Sequence, residues 1–276
     1  MELTLEDFSL RETLECGQVF RWKKNHGAYY GTIRNTAVKI EQYRNKLLFE
    51  TFPRGREHLI EDYFRLDDDF DEILDSLKQD PVLWPALKQH LGLRLVRQEP
   101  FECLISFITS AASNIPRINQ CLNSIAQAFG EPIGDLDGII LYSFPTPEML
   151  SQVGEEELNV CNLGYRAKHI HQASQIITDS ELSMIRKMPY ERAKKMLMEL
   201  PGVGPKVADC VLLFSMDKLE AFPVDVWIKR IMEELYFEGR KTTESKIREF
   251  AMEHFGQYAG YAQQYLYHYH RTTSSP

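Results

Sequence analysis

The hydrophobic pattern changes period once, near residue 57, and that change divides the chain. Before it, residues 15–52 alternate. Segments 19–22, 28–33, 36–40 and 46–50 are short runs of β-branched and aromatic residues, separated by polar turns at 23–27, 34–35 and 43–45. Such runs, with a turn about every ten residues, predict an antiparallel meander. From Glu57 onward, Leu59, Tyr63 and Phe64, then Ile73, Leu74 and Leu77, recur at helical spacing. After Pro100 the pattern is almost wholly helical. Phe101, Leu104, Ile105 and Ile108 form one stripe; Ile118, Leu122, Ile125 and Phe129 form another that stops at Gly130. Thr146-Pro147-Glu148 reads as a helix start, and helices are predicted over 166–178, 190–200, 206–216, 225–236 and 243–255. The expected architecture is an α+β domain with an antiparallel sheet over residues 1–97, followed by a mainly helical domain over residues 98–276.

Composition excludes several classes. A chain of 276 residues that is 43% hydrophobic and 26% charged is neither disordered, collagenous nor a coiled coil. It has no apolar run of the roughly 18 residues that a membrane-spanning helix requires, so no membrane is expected as a partner. The acidic opening, Met1 to Asp7, lacks the basic start and apolar stretch of a secretory signal, which predicts a cytoplasmic protein. Five cysteines (Cys16, Cys103, Cys121, Cys161 and Cys210) form no C-x-x-C pair. That argues against a disulfide framework, a zinc ribbon and an iron–sulfur cluster.

Net charge is −8, which at first argues against a nucleic-acid partner. Residues 57–80 contain ten acids and two bases, so this segment accounts for the whole imbalance. A polyanion responds to the field of the face it meets, so DNA stays open as a partner. The acidic run itself reads as a solvated helical face.

One segment stands out for chemistry: Leu200-Pro201-Gly202-Val203-Gly204-Pro205-Lys206-Val207-Ala208-Asp209-Cys210. A helix stops before Pro201, the two glycines permit a tight hairpin, and a second helix starts near Pro205. Free backbone N–H groups at that helix start suit a phosphate oxygen and carry no base preference. A plain αα-corner would look the same. Lys206 sits in the first helical turn, where the macrodipole disfavours its charged form, and only a neutral amine is a nucleophile. Cys210 lies one turn on, on the same face. A lone lysine at a helix start is otherwise a surface residue. Nineteen residues after Lys206, in Pro223-Val224-Asp225-Val226-Trp227, Asp225 occupies a helix N-cap position, bonding toward Lys229 and Ile231. A carboxylate held there is rigid and ionised, and it can face a developing cation.

Together, L-P-G-V-G-x-K and P-V-D-V resemble the helix-hairpin-helix DNA glycosylases that carry a lysine and an aspartate. Alkylation-repair members lack the lysine, and the endonuclease III branch has a terminal four-cysteine cluster that this chain lacks. Five more segments resemble the 8-oxoguanine branch, in family order. They are Gly17-Gln18-Val19-Phe20-Arg21-Trp22, Tyr63-Phe64-Arg65-Leu66-Asp67, Glu102-Cys103-Leu104-Ile105-Ser106-Phe107-Ile108, Leu163-Gly164-Tyr165-Arg166-Ala167, and Ala259-Gly260-Tyr261-Ala262-Gln263 with Leu266-Tyr267.

The resemblance implies a fold and a set of roles. The sheet domain would be TBP-like, and the helical domain would carry its helix-hairpin-helix at about 191–216. The partner would be double-stranded DNA containing 8-oxoguanine, met by a monomer. Lys206 would attack the sugar, expel the base and form a Schiff base; Asp225 would stabilise the cationic transition state. The Gly17 carbonyl would accept from the ring N–H that distinguishes 8-oxoguanine from guanine. Gln263 would read the Watson–Crick edge, with Cys210 and Tyr267 sandwiching the base. On the DNA side, Tyr165 would wedge into the gap, while Arg166 and Arg117 would meet the orphaned base. Gly202, Val203, Gly204 and Trp227 would lie against phosphate. No cofactor or catalytic metal is implied beyond a monovalent cation at the hairpin carbonyls. Two departures stand out. Ala112 occupies the place of an opposite-base-reading Asn, and Trp227 that of a phosphate-contacting His. The same chemistry on another oxidised base, and a DNA-binding module without catalysis, are the alternatives.

Overall fold

The computed structural model describes residues 1–273. The alternating segments become strands β1 (Glu2–Thr4), β2 (Lys23–Asn25), β3 (Ala28–Ile33), β4 (Thr36–Tyr43) and β5 (Lys46–Phe52). They form one antiparallel sheet in the order β1-β5-β4-β3-β2, with Tyr29 opposite Ile40 and Ile40 opposite Phe49. Between β2 and β3, His26 and Gly27 both take positive φ (46° and 90°), as a two-residue hairpin turn demands. Helix α1 (Leu10–Glu15) joins β1 to β2; α2 (His58–Tyr63), α3 (Phe70–Leu77) and α4 (Trp84–Gln89) follow β5.

Residues 19–22, expected as a strand, run as irregular chain. Side-chain amides take the place of a partner strand there. Gln18 donates to the carbonyls of Thr13 and Arg94 and accepts from Val96 N, while Gln98 donates to the Gln18 carbonyl. Trp22 folds over Gly31, where any β-carbon would sit 2.5 Å from the indole, and donates to the Tyr63 hydroxyl at 2.9 Å.

The second half holds α5 (Pro100–Thr109) and α6 (Ile115–Phe129), then a hairpin of β6 (Pro132–Leu136) and β7 (Ile139–Tyr142). Helices α7 (Pro147–Ser151), α8 (Glu155–Leu158), α9 (Arg166–Ile176), α10 (Asp179–Arg186) and α11 (Tyr190–Leu197) follow. The last four are α12 (Pro205–Ser215), α13 (Val226–Tyr236), α14 (Glu244–Phe255) and α15 (Ala259–Thr273). The β6–β7 hairpin corrects the all-helical expectation after Pro100. It covers the outer face of the first sheet, with Leu136 buried against Ala28, Tyr30 and Ala37, and with Asp137 bonded to Tyr30 and Lys39.

Two larger cores account for the rest. One lies between the inner face of the sheet and α1–α2. The other unites Cys16 and Phe20 with Phe70, Leu93, Phe107 and the buried faces of α12 and α15, so the largest core crosses from the first half into the second.

The acidic run is only partly a solvated face. Arg97 pairs with Asp67 (2.5 Å), Asp68 (2.8 Å) and Asp217 (3.1 Å), and buried Arg65 pairs with Asp217 at 2.6 Å. Asp69 caps α3, and the largely buried Asp80 accepts from Leu83 N and bonds His254 at 2.6 Å. Much of the segment's negative charge is therefore matched within the fold.

Candidate active site

The helix-hairpin-helix is α11, the turn through Pro201–Gly204, and α12. Helix α11 ends at Leu197, three residues before the expected stop. Of the two glycines only Gly202 takes positive φ (80°), and a β-carbon on it would strike His169 at 2.8 Å. Gly204 is extended (φ −91°) and forms the N-cap of α12; it is exposed, and no atom lies within 4 Å of a β-carbon built on it. A surface of that shape admits close approach of another backbone. Val203 is buried, donating its N–H to the Leu200 carbonyl at 3.1 Å.

Beneath the hairpin, Asp209 is fully buried. It accepts from Tyr190 Oη (2.7 Å), Lys194 Nζ (2.8 Å) and Arg248 Nε (2.8 Å), which ties α11, α12 and α14 together. A carboxylate inside the apolar run Val207–Phe214 demands such partners, and that demand was the available sequence signal for its role.

A cavity of about 550 Å³ opens where α12, α13, α15, the end of α5 and the residues after α1 converge. Its lining includes Gly17, Lys206, Cys210, Asp225, Trp227, Gln263 and Tyr267, so seven of the residues singled out in the sequence meet in one place. The half-buried Lys206 puts Nζ 3.2 Å from Ser110 Oγ and 5.1 Å above the ring of Phe107. Asp225 is the N-cap of α13, but its carboxylate accepts from Ile228 N at 2.8 Å; Lys229 N bonds its carbonyl instead, and Ile231 takes no part in the cap. This geometry follows from the cap's reach, since the side chain meets the third residue on.

Gly17 adopts φ +90°, and a β-carbon there would lie 3.3 Å from Ile115 Cδ1 and 3.4 Å from Tyr267 Cε1. Its neighbours are fixed: Gln264 donates to the Cys16 carbonyl at 3.0 Å, and the Gln18 amide is fully bonded. Gln263 is buried and its Oε1 has no hydrogen-bond partner. Such an acceptor is costly unless a ligand meets it. Burial pushes the Cys210 thiol up to about 12 and also raises the Tyr267 phenol, so both face the cavity uncharged.

Tyr165, Arg166 and Arg117 lie outside the cavity lining, and Trp227 lies at its edge. Tyr165 is 59% exposed, as a wedge requires. Arg166, expected exposed beside it, is only 5% exposed. Its Nε donates to the Ala111 carbonyl at 2.7 Å, its terminal nitrogens to those of Ala112 (2.9 Å) and Leu163 (3.1 Å). It therefore braces the turn after α5. Arg117 is exposed on α6, its guanidinium 3.4 Å from the Asn162 carbonyl. Trp227 is 60% exposed, with Arg230 stacked 5.8 Å from its ring centre. Ser110, Phe107 and Gln264 belong to the site and escaped the sequence reading, because nothing local marks them.

A second polar cluster joins α1 to α15. His90 Nδ1 and His268 Nε2 lie 2.6 and 2.8 Å from the same oxygen of Glu12. Ligand atoms of the three groups fall within 4.8 Å of one another, a spacing open to a metal ion. Arg271 is always a donor and lies 3.1 Å from His268 Nδ1, which leaves the ring proton on Nε2, aimed at Glu12. The trio is thus built as a hydrogen-bonded clamp.

Residues 1–104 match the N-terminal domain of 8-oxoguanine DNA glycosylase, and residues 105–257 match the HhH-GPD superfamily of base excision DNA repair proteins. The N-glycosylase/DNA lyase OGG1 of Arabidopsis thaliana is 34% identical over 97% of this chain and 78% of its own length. A probable N-glycosylase/DNA lyase of Methanothermobacter thermautotrophicus is 32% identical over 98% of this chain and 96% of its own. The 8-oxoguanine glycosylase/lyase of Clostridium acetobutylicum, solved with double-stranded DNA containing cytosine opposite 8-oxoguanine, superposes with a TM-score of 0.92. It is 36% identical over 98% of this chain and 94% of that one. With this fold, this hairpin and a lysine and aspartate lining one cavity, the chain belongs to the HhH-GPD superfamily of base excision DNA repair proteins, in the branch that carries the 8-oxoguanine DNA glycosylase N-terminal domain.

Proposed function

We propose that this chain is a bifunctional DNA glycosylase and abasic-site lyase acting on 8-oxoguanine in double-stranded DNA. The observation that carries the reading is the convergence of Lys206, Asp225, Gly17, Gln263, Cys210 and Tyr267 on one cavity. A cavity of this size is within the range that takes small ligands, roughly 300–1,000 Å³. The lesion leaves the duplex to enter it, at a cost of a few kcal/mol.

Each wall has a part in recognition. 8-Oxoguanine carries a donor at its N7 that guanine lacks, and the Gly17 carbonyl accepts from it. Guanine would leave that acceptor unpaired, which is a strong basis for rejection. The vacant Gln263 Oε1 accepts from the Watson–Crick edge, and Cys210 and Tyr267 hold the two ring faces.

The chemistry follows from Lys206 and Asp225. As the bond from C1′ to the base lengthens, positive charge develops on the sugar, and the Asp225 carboxylate stabilises it. The base leaves with the electron pair of that bond. The Lys206 amine adds to C1′ through its lone pair and gives up a proton, which the departed base takes. Cleavage of the C1′–O4′ bond then gives an imine. Loss of a C2′ proton expels the 3′ phosphate, which breaks the strand. Water hydrolyses the imine and restores the amine. The reading includes a monomer, a cation at the hairpin carbonyls through which no step runs, and a reducing, cytoplasmic setting that suits five free cysteines. No helix among the described residues is long and apolar enough to cross a membrane.

Borohydride tests the reading by reducing the imine. Wild-type protein on a duplex with one 8-oxoguanine should yield a covalent complex, and Lys206→Gln should yield none. Duplex binding without base release or trapping would overturn it. A panel of single-lesion duplexes separates 8-oxoguanine from other oxidised bases.

A further inference from the structure

Lys206 does not hang freely in the cavity. Its Nζ lies 3.2 Å from Ser110 Oγ, and Ser110 is the C-cap of α5. The Ser110 hydroxyl donates to the Phe107 carbonyl at 2.7 Å. A serine has a single hydroxyl hydrogen, and here it is spent inside the helix end. Toward the amine, Ser110 offers only a lone pair. The contact therefore runs one way: Lys206 donates and Ser110 accepts.

We propose that Ser110 is a positioning residue for the nucleophile. The inference rests on the reading of Lys206 above and adds a residue to it. A lysine ends in a freely rotating amine on a flexible four-carbon stem. Attack on C1′ demands an approach of about 3–3.5 Å along one direction. By holding one N–H, Ser110 fixes the rotation of the amine and turns its remaining face into the cavity, toward the sugar.

The support under Ser110 is rigid. Phe107, beneath the amine, stacks on Phe214 with ring centres 5.4 Å apart and meets Phe20 edge-on at 5.7 Å. The turn beyond Ser110 is braced by Arg166 through the carbonyls of Ala111 and Ala112. Ser110 is thus held from both sides, as an anchor for a catalytic side chain must be.

A serine capping a helix end for structural reasons alone would look similar, so the test separates the two. In single-turnover assays, Ser110→Ala should excise 8-oxoguanine roughly ten- to hundredfold more slowly. Borohydride trapping on a preformed abasic duplex should slow by a similar factor, since that step needs the amine but no base recognition. Affinity for the lesion duplex, measured with Ser110→Ala added to Lys206→Gln, should stay within about twofold of Lys206→Gln alone. Ser110→Thr keeps a hydroxyl that can bond back to the helix and accept from Lys206, so it should restore the rate to within about threefold. Wild-type trapping with Ser110→Ala matching it in rate overturns the proposal alone. So does an equal loss in Ser110→Ala and Ser110→Thr that tracks a lower melting temperature. Failure of the wild type to trap overturns the Lys206 reading, and this proposal with it.

Discussion

Gly17 faces the ring of Tyr267 with little room for a side chain between them: a β-carbon on Gly17 would lie 3.4 Å from Cε1 of Tyr267, 250 positions further along the sequence. Any side chain at Gly17 would meet Tyr267 and Ile115 and would also have to hold φ +90°. Gly17→Ala should cost about 1 kcal/mol in stability from the backbone alone. It should cost far more in function, since the carbonyl proposed to accept from the lesion moves with it. Excision of 8-oxoguanine should fall at least tenfold while binding to undamaged duplex stays level. Equal excision by variant and wild type would remove Gly17 from the recognition set.

Asp225 has two duties that substitution can separate. Asn keeps an oxygen able to cap Ile228 N but carries no charge; Ala loses both. Asp225→Asn should melt near the wild type, whereas Asp225→Ala should lose about 1 kcal/mol, or some 2–4 °C in a chain of this size. Both should lower the excision rate a hundredfold or more. If Asp225→Asn excises at the wild-type rate, the carboxylate has no part in the chemistry.

Ala112 sits exposed with φ +47°, a conformation that Asn tolerates and Ala does not. Ala112→Asn should therefore raise the melting temperature by up to about 2 °C, a gain below 1 kcal/mol. It also places an amide at the position where the family resemblance implies an Asn that reads the opposite base. Excision from duplexes with cytosine opposite the lesion should rise relative to those with adenine. An unchanged ratio and an unchanged melting curve would dismiss both effects.

The Glu12 clamp sets an acid limit. Hydrogen bonds from His268 and then His90 hold the Glu12 carboxyl well below the usual carboxylate range. Burial lowers the His268 imidazole below its ordinary 6.5, outweighing its bond to Glu12. In both cases the unfolded chain binds protons more readily than the folded one. Stability is thus complete above about pH 6.5 and falls on acidification, first through His268 and then, below about pH 4.5, through Glu12. Melting temperature measured from pH 7.5 to 4 should trace that fall, and Glu12→Gln should flatten its lower part. A profile unaffected by the substitution would show the clamp to be without weight.

The strands expected over 28–33, 36–40 and 46–50 and most of the later helices follow directly from hydrophobic period, because each packs an apolar face against a core. The β6–β7 hairpin escapes that reading, although Asp137-Gly138 between Leu136 and Ile139 is a strong hairpin signal; both residues take positive φ (55° and 78°). That Lys206 and Asp225 meet at one cavity was legible because a local motif carries each of them. Ser110 and the buried state of Arg166 were not, since their partners lie at Lys206 and Ala111, and no spacing announces contacts of that range; for Asp209 the apolar run around it signalled burial but not its partner Arg248. The same holds for Arg97, whose carboxylate partners run from Asp62 to Asp217.

The apolar mass that joins Phe20 to Phe107 and Tyr261 runs unbroken from the first half of the chain into the second. Several residues that line the pocket, among them Phe20, Phe107 and Cys210, therefore rest in one shared core rather than in two. On the proposed reading, a damaged purine reaches Lys206 only after the nucleic acid has opened and turned its nucleotide outward.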